Sequence, residues 1–227
     1  MDDYPAPAFQ TPEPYGFLYL GFHADPPQRL PLYRQTAGRR SAAARLTTAA
    51  KSISGQPGVV SVRVFRAVLI PPLPGAPRHD LAMLIRTTGV DQLQAVRTSD
   101  AVSALGGEVI LAGANAAKIG ETEASDQGTF LFNHFTVESD AEPTQVWRGF
   151  TGWYTEKTGI DNSTALKSTQ PAQFSFVNYA RLPGPPFPFL INQLARPSFH
   201  RFVRATLKAN DMRALPAFYR VVSTEGP

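Results

Sequence analysis

The chain has 227 residues, 43% apolar and 11% aromatic, enough to bury a core as one large domain or two small ones. It has no cysteine, which excludes disulfides and thiolate-held metals and suits a reducing cytoplasm. The net charge of +4 is mild, and no apolar run is long enough to span a bilayer, so neither a nucleic-acid groove nor a membrane segment is expected.

Residues 1–15 read as an extended arm, because prolines recur without any periodic pattern. The acidic start MDDYPAPAF lacks the basic-then-apolar order of a signal peptide, so a cytoplasmic protein is expected. FLYLGFHA then reads as a buried strand and DPPQRLP as a break. GRRSAAARLTTAAKSIS is alanine-rich and places Leu46, Ala50 and Ile53 at helical spacing. GQPG stops it. VVSVRVFRAVLI and DLAMLIRT predict strands on either side of a PPLPGAP loop. VDQLQAVRTSDAVSALGG predicts a helix ended by Gly106 and Gly107, and EVILAGA a fourth strand.

The order β-α-β-β-α-β then recurs. FLFNHFTV is the first strand of the second series. The helix after it is expected to be capped by Ser139 or Asp140, with Pro143 in its first turn and Gly159 at its end. Val146, Phe150 and Trp153 give it one apolar face. STALKST and QFSFVNYARL are two further strands. FPFLINQLA and SFHRFVRATLKAN form a helix broken at Pro197, and PAFYRVV closes the unit. Arg196, Arg201, Arg204, Lys208 and Arg213 read as a solvated face of this region.

The two first strands align. Phe17-Leu18-Tyr19 falls on Phe130-Leu131-Phe132 and Phe22 on Phe135, but Leu20-Gly21 is replaced by Asn133-His134. The expected fold is α+β: two ferredoxin-like β-α-β-β-α-β repeats, residues 16–126 and 127–227, behind the 1–15 arm. Each four-stranded sheet would carry helices on one face only. Packing the bare faces sheet to sheet covers them and gives a pseudo-dimeric α+β barrel within one chain. With both sheets supplied by one chain, a monomer or a homodimer of such pseudo-dimers is expected. No P-loop, H-E-x-x-H, G-x-S-x-G or G-x-G-x-x-G motif is present.

Three stretches of the second repeat resemble the antibiotic biosynthesis monooxygenase superfamily of dimeric α+β barrels: FLFNHFTVES, FSFVNYARL and ARPSFHRFV. That superfamily includes cofactor-free oxygenases acting on aromatic polyketides, haem-degrading monooxygenases and members without known activity, so the fold does not decide the function. By this resemblance Asn133 faces a cavity between sheet and helices, and His134 faces the sister sheet. Tyr179 falls where haem-degrading relatives have a Trp, and Asn133, Tyr179 and Arg181 become the candidate catalytic set. They would hold a substrate carbonyl or phenol and stabilise the carbanion that reacts with oxygen. Phe135, Trp147, Phe150, Trp153 and Tyr154 are the candidate substrate wall, with core packing as the plain alternative.

The leading expectation is a cofactor-free monooxygenase-like enzyme acting on a flat aromatic or polyketide-type molecule. A non-catalytic module binding an apolar ligand and a haem-binding or haem-degrading protein are the alternatives. No cofactor or metal is expected. Haem is disfavoured because Val203 stands where haem-degrading relatives place the iron-ligating His; His200 reads as a surface residue, and His23 and His79 cluster with nothing evident. The first repeat is expected to be scaffold, unless it has a pocket of its own served by Arg86, near which the position of Tyr179 falls.

Overall fold

A computed structural model describes residues 4–25 and 31–226. Residues 1–3 of the expected arm and 26–30 of the expected break lie outside the described residues. The first half runs β1 (Phe9–Gln10), β2 (Gly16–Phe22), α1 (Ala37–Ser54), β3 (Val59–Leu69) and β4 (Leu81–Thr87). It continues through a 3-10 turn at Val90–Gln92 to α2 (Leu93–Thr98), α3 (Asp100–Ser103) and β5 (Glu108–Ile119). The second half runs β6 (Phe130–Val137), α4 (Pro143–Thr158), β7 (Ser163–Ser168), β8 (Phe176–Arg181) and α5 (Pro186–Leu194). A π-helical turn at Phe199–Arg204, α6 (Ala205–Ala209) and β9 (Met212–Glu225) complete it.

Local chemistry sets these limits. The Thr36 hydroxyl accepts from the Arg39 backbone N–H at 3.1 Å and caps α1, whose Leu46, Ala50 and Ile53 are buried against the sheet. The helix expected over residues 90–107 is broken at Ser99. Its backbone is extended and its hydroxyl bonds back to the Val96 carbonyl at 2.8 Å, an alternative to continuing the helix. The cap of α4 is Glu142, not Ser139 or Asp140: its carboxylate accepts from the Gln145 N–H at 2.9 Å, and Pro143 fixes the first helical position. Gly159 ends α4 at φ 73°, the left-handed conformation glycine favours.

The fold is α+β, with eight antiparallel strands closed into a barrel in the order β5-β2-β4-β3-β9-β6-β8-β7 and β7 paired back to β5. β1 lies outside the ring on β5. The two four-stranded sheets do more than pack face to face. They are hydrogen-bonded edge to edge, β3 to β9 and β5 to β7, so no barrel edge is left open. This explains why β5 and β9, at 12 and 14 residues, outrun the expected EVILAGA and PAFYRVV: their far ends pair across the seams. At the β5–β7 seam a Cβ on Gly113 would lie 2.1 Å from the Lys167 carbonyl oxygen, so only glycine permits that approach.

Side chains on the inner barrel face, among them Phe17, Tyr19, Phe65, Phe132, Tyr179 and Tyr219, fill the barrel with aromatic rings. On the outer face α1, α2 and α3 cover the first half, and α4 and α6 cover the second. Among the described residues no helix is long and apolar enough to cross a membrane.

Candidate functional site

The cavity lies between the second-half sheet and α4. Leu131 and Asn133 of β6 and Asn178 of β8 form its floor; Trp147, Phe150 and Tyr154 of α4 form its roof. Strand alternation explains the floor, since Leu131, Asn133 and Phe135 point to the helices while Phe132 and His134 point into the barrel. The free space is about 30 Å³, room for one or two water molecules. A groove of about 530 Å³ beside the N-terminal arm shares Ile119, Thr155 and Ile160 with the cavity, so these three side chains separate cavity from groove.

Most polar groups around the cavity are engaged. Asn178 accepts from the Ser163 hydroxyl. Asn162 staples the start of β7 to the end of β8, donating to the Arg181 carbonyl at 2.9 Å and accepting from the Arg181 N–H at 2.8 Å. Asn133 differs: its residue is 8% exposed, yet its Oδ1 has no hydrogen-bond partner among the described residues. Tyr154 is partly buried, and desolvation raises its phenol pKa well above the usual value, so it stays protonated and can donate to what enters.

The structure brings together Asn133, Trp147, Phe150 and Tyr154 around the cavity. Phe135 and Trp153 pack in the same cluster just behind it, Trp153 donating its indole N–H to the Ser198 hydroxyl at 3.0 Å. It does not bring in Tyr179 or Arg181. In β8 Tyr179 pairs with Phe132, and the two rings lie tilted against each other inside the barrel, centroids 4.7 Å apart, on the opposite face from Asn133. Arg181 pairs with Phe130 and so belongs to that inner face too. The strand residue that joins Asn133 is its direct partner Asn178, which the sequence reading passed over. Its signal was available: Asn178 is two residues from Phe176, and both share the helix-facing parity. The same register makes Leu84 the counterpart of Tyr179 and Arg86 the counterpart of Arg181. Arg86 is ion-paired to Glu123 at 3.2 Å and lies over the Tyr15 ring, so it is held by the fold.

His134 sits inside the barrel as expected. A carbonyl only accepts, so Nδ1–H donates to Leu215 O at 3.1 Å and Nε2 accepts from the Tyr19 hydroxyl at 3.2 Å. Complete burial lowers its pKa to about 3, which keeps it neutral. The expectation that His23 and His79 cluster with nothing is wrong. Their rings lie 4.6 Å apart, and His79 Nε2 is 2.9 Å from the Glu108 carboxylate.

Haem does not fit the cavity. Its lining contains no imidazole, thiolate, thioether or phenolate placed to ligate iron, the phenol of Tyr154 being held protonated. Val203 is buried in the α4 cluster, and His200 is exposed, its ring bonded to the Leu194 carbonyl at 2.8 Å and facing Arg204.

No family model matches the chain, and no curated protein matches it. Solved structures do share its fold. An anthrone oxidase-like protein is 11% identical with a TM-score of 0.63, covering 93% of this chain and 92% of that one. A candidate monooxygenase from Fusobacterium nucleatum is 9% identical with a TM-score of 0.55, covering 96% of both chains. A candidate chlorite dismutase is 11% identical with a TM-score of 0.52, covering 92% of this chain and 95% of that one. At these identities the likeness is one of fold: the chain has the ferredoxin-like α+β barrel found in monooxygenase-like and chlorite dismutase-like proteins.

Proposed function

We propose that the chain is a cofactor-free, monooxygenase-like protein whose site is the Asn133 cavity and whose substrate is a small aromatic molecule with an enolisable carbonyl or phenol. The observation that carries this reading is the unpartnered Asn133 Oδ1 in a mostly apolar pocket roofed by aromatic rings. A buried amide without a partner costs roughly 1–3 kcal/mol, and a bound ligand that hydrogen-bonds to it removes that cost. The first half has Leu20 at the corresponding position, 2% exposed, so the fold itself does not require the amide.

Asn133 Oδ1 is suited to accept from an enol or phenol O–H, while the Asn133 amide N–H and the protonated Tyr154 hydroxyl are the donors suited to stabilise the anion formed from it. The anion passes electrons to dioxygen, and an activated CH2 becomes C=O, one oxygen atom entering the product and the other leaving as water. Trp147 and Phe150 supply apolar faces for a flat ring. Entry requires Ile119, Thr155 and Ile160 to part from the groove side, because the closed cavity is smaller than any aromatic ring system.

A second reading is favoured by one feature. Apart from Tyr154, whose phenol stays protonated, the lining residues carry no titratable side chain, so no protein base is in place to deprotonate a substrate. That favours binding without turnover, unless the substrate ionises unaided. Both tryptophans of the chain flank the cavity, so fluorescence titration with anthrones and quinols reads occupancy. Quenching that is lost in Asn133→Leu supports the site; no quenching by any aromatic hydroxyl compound contradicts it.

A further inference from the structure

We infer that His23, His79 and Glu108 form a site for a first-row divalent metal ion of the zinc, cobalt or nickel type. One ligand atom from each residue lies within 4.8 Å of the other two. The three come from the ends of adjacent strands: His23 follows β2, His79 precedes β4, and Glu108 opens β5, opposite Gly21. Two imidazoles and one carboxylate suit these borderline ions better than magnesium or calcium, which prefer all-oxygen shells.

The surrounding structure holds the ligands in place. Asp80, beside His79, accepts from the backbone N–H groups of Ala24 at 2.8 Å and Asp25 at 2.7 Å, the two residues after His23. Its carboxylate is fixed in turn by Arg39 at 3.1 Å. This clamp ties the end of β2 to the start of β4 and so sets His23 against His79. The Tyr219 hydroxyl donates to the His79 carbonyl at 3.1 Å and steadies the same segment. Gly21 makes the room: a Cβ there would lie 2.4 Å from the His79 ring. In the second half that position is His134, so the space one half fills with its own imidazole is filled in the other by His79.

His79 is 4% exposed and turns its Nε2 to the Glu108 carboxylate, so burial holds the ring with one nitrogen inside the cluster. His134, by contrast, spends both nitrogens on the fold. The adjustment needed to bind is small. Metal–ligand bonds of about 2.1 Å place tetrahedral ligands about 3.4 Å apart. His79 Nε2 and Glu108 are 2.9 Å apart, and the Glu108 side chain is 60% exposed and free to withdraw by the difference. His23 is also exposed, its ring 4.6 Å from that of His79, and is free to close the remaining distance. Three protein ligands leave the ion a position for water or a small ligand, and Glu108 also lines a cleft of about 210 Å³ with Arg97, Gln170 and Gln173.

The test is calorimetric titration of the full chain, free of any polyhistidine tag, with Zn2+, and visible absorption on titration with Co2+. The expected result is one ion per chain, with affinity at least about tenfold weaker in His23→Ala and in Glu108→Gln and unchanged in His200→Ala. Both ligand variants alter exposed side chains, so their metal-free melting temperatures should match the parent protein. No binding by the parent chain, binding unchanged in both ligand variants, or equal loss in His200→Ala would overturn the assignment.

Discussion

Replacing Asn133 by Leu should stabilise the protein and abolish ligand binding together. Both side chains branch at Cγ and carry the same number of heavy atoms, so the shape is kept while the unpartnered amide is removed. An orphaned buried polar group costs roughly 1–3 kcal/mol, and the apolar replacement recovers most of it. Methyl groups are larger than the amide atoms, but the adjoining free space of about 30 Å³ accepts them with little strain. For a domain of this size each kcal/mol moves the melting temperature by about 2–4 °C, so Asn133→Leu should melt about 2–10 °C higher. The measurement is thermal unfolding by circular dichroism of both proteins, beside a tryptophan-fluorescence titration with an aromatic hydroxyl compound. A melting temperature unchanged or lowered would refute the reasoning: it would show that the amide is satisfied in the free protein, as by bound water, and serves the fold.

Asp80→Ala leaves the buried Arg39 guanidinium without its carboxylate and should cost about 3–5 kcal/mol in urea unfolding; a loss under about 1 kcal/mol would show that the clamp is not structural. Gly113→Ala drives a Cβ into the Lys167 carbonyl and should destabilise the β5–β7 seam by about 1–3 kcal/mol, against no change if the seam is loose in solution. His134 has a folded pKa of about 3 against an ordinary 6.5, so the unfolded chain takes up the proton first as pH falls. Its contribution to stability is therefore present above pH 6.5 and lost progressively between there and about pH 3. Between pH 7 and pH 5 the loss is about 2 kcal/mol, and His134→Gln should lack it; parallel curves for the two proteins would contradict the burial argument.

Much of the architecture was legible because period and punctuation agree with the fold. The alternation in VVSVRVFRAVLI, the alanine-rich segment before GQPG, and the pairing of Pro143 with Gly159 each fix an element with its own chemistry. Strand alternation put Asn133 and His134 on opposite faces, and the resemblance of FLFNHFTVES assigned Asn133 to the helix side and His134 to the sister sheet, where the structure has them. What local pattern did not carry was pairing between distant strands. Tyr179 was assigned to the cavity by resemblance, although its parity with Val177 sets it in the barrel, and only the β6–β8 register shows that Asn178 is the residue opposite Asn133. The edge-to-edge seams depend on residues about 50 and 160 positions apart, beyond any local signal. His23, His79 and Glu108 come together for the same reason: they are remote in sequence and adjacent only through the β5-β2-β4 order.

The most direct test of the central claim is oxygen consumption by the purified chain with anthrone- and quinol-type compounds under isotopically labelled dioxygen, beside Asn133→Leu. The account predicts uptake that depends on the protein, one labelled oxygen atom in the product, and loss of both in the variant. Uptake that survives Asn133→Leu, or its absence with every compound that quenches the tryptophans, would contradict it.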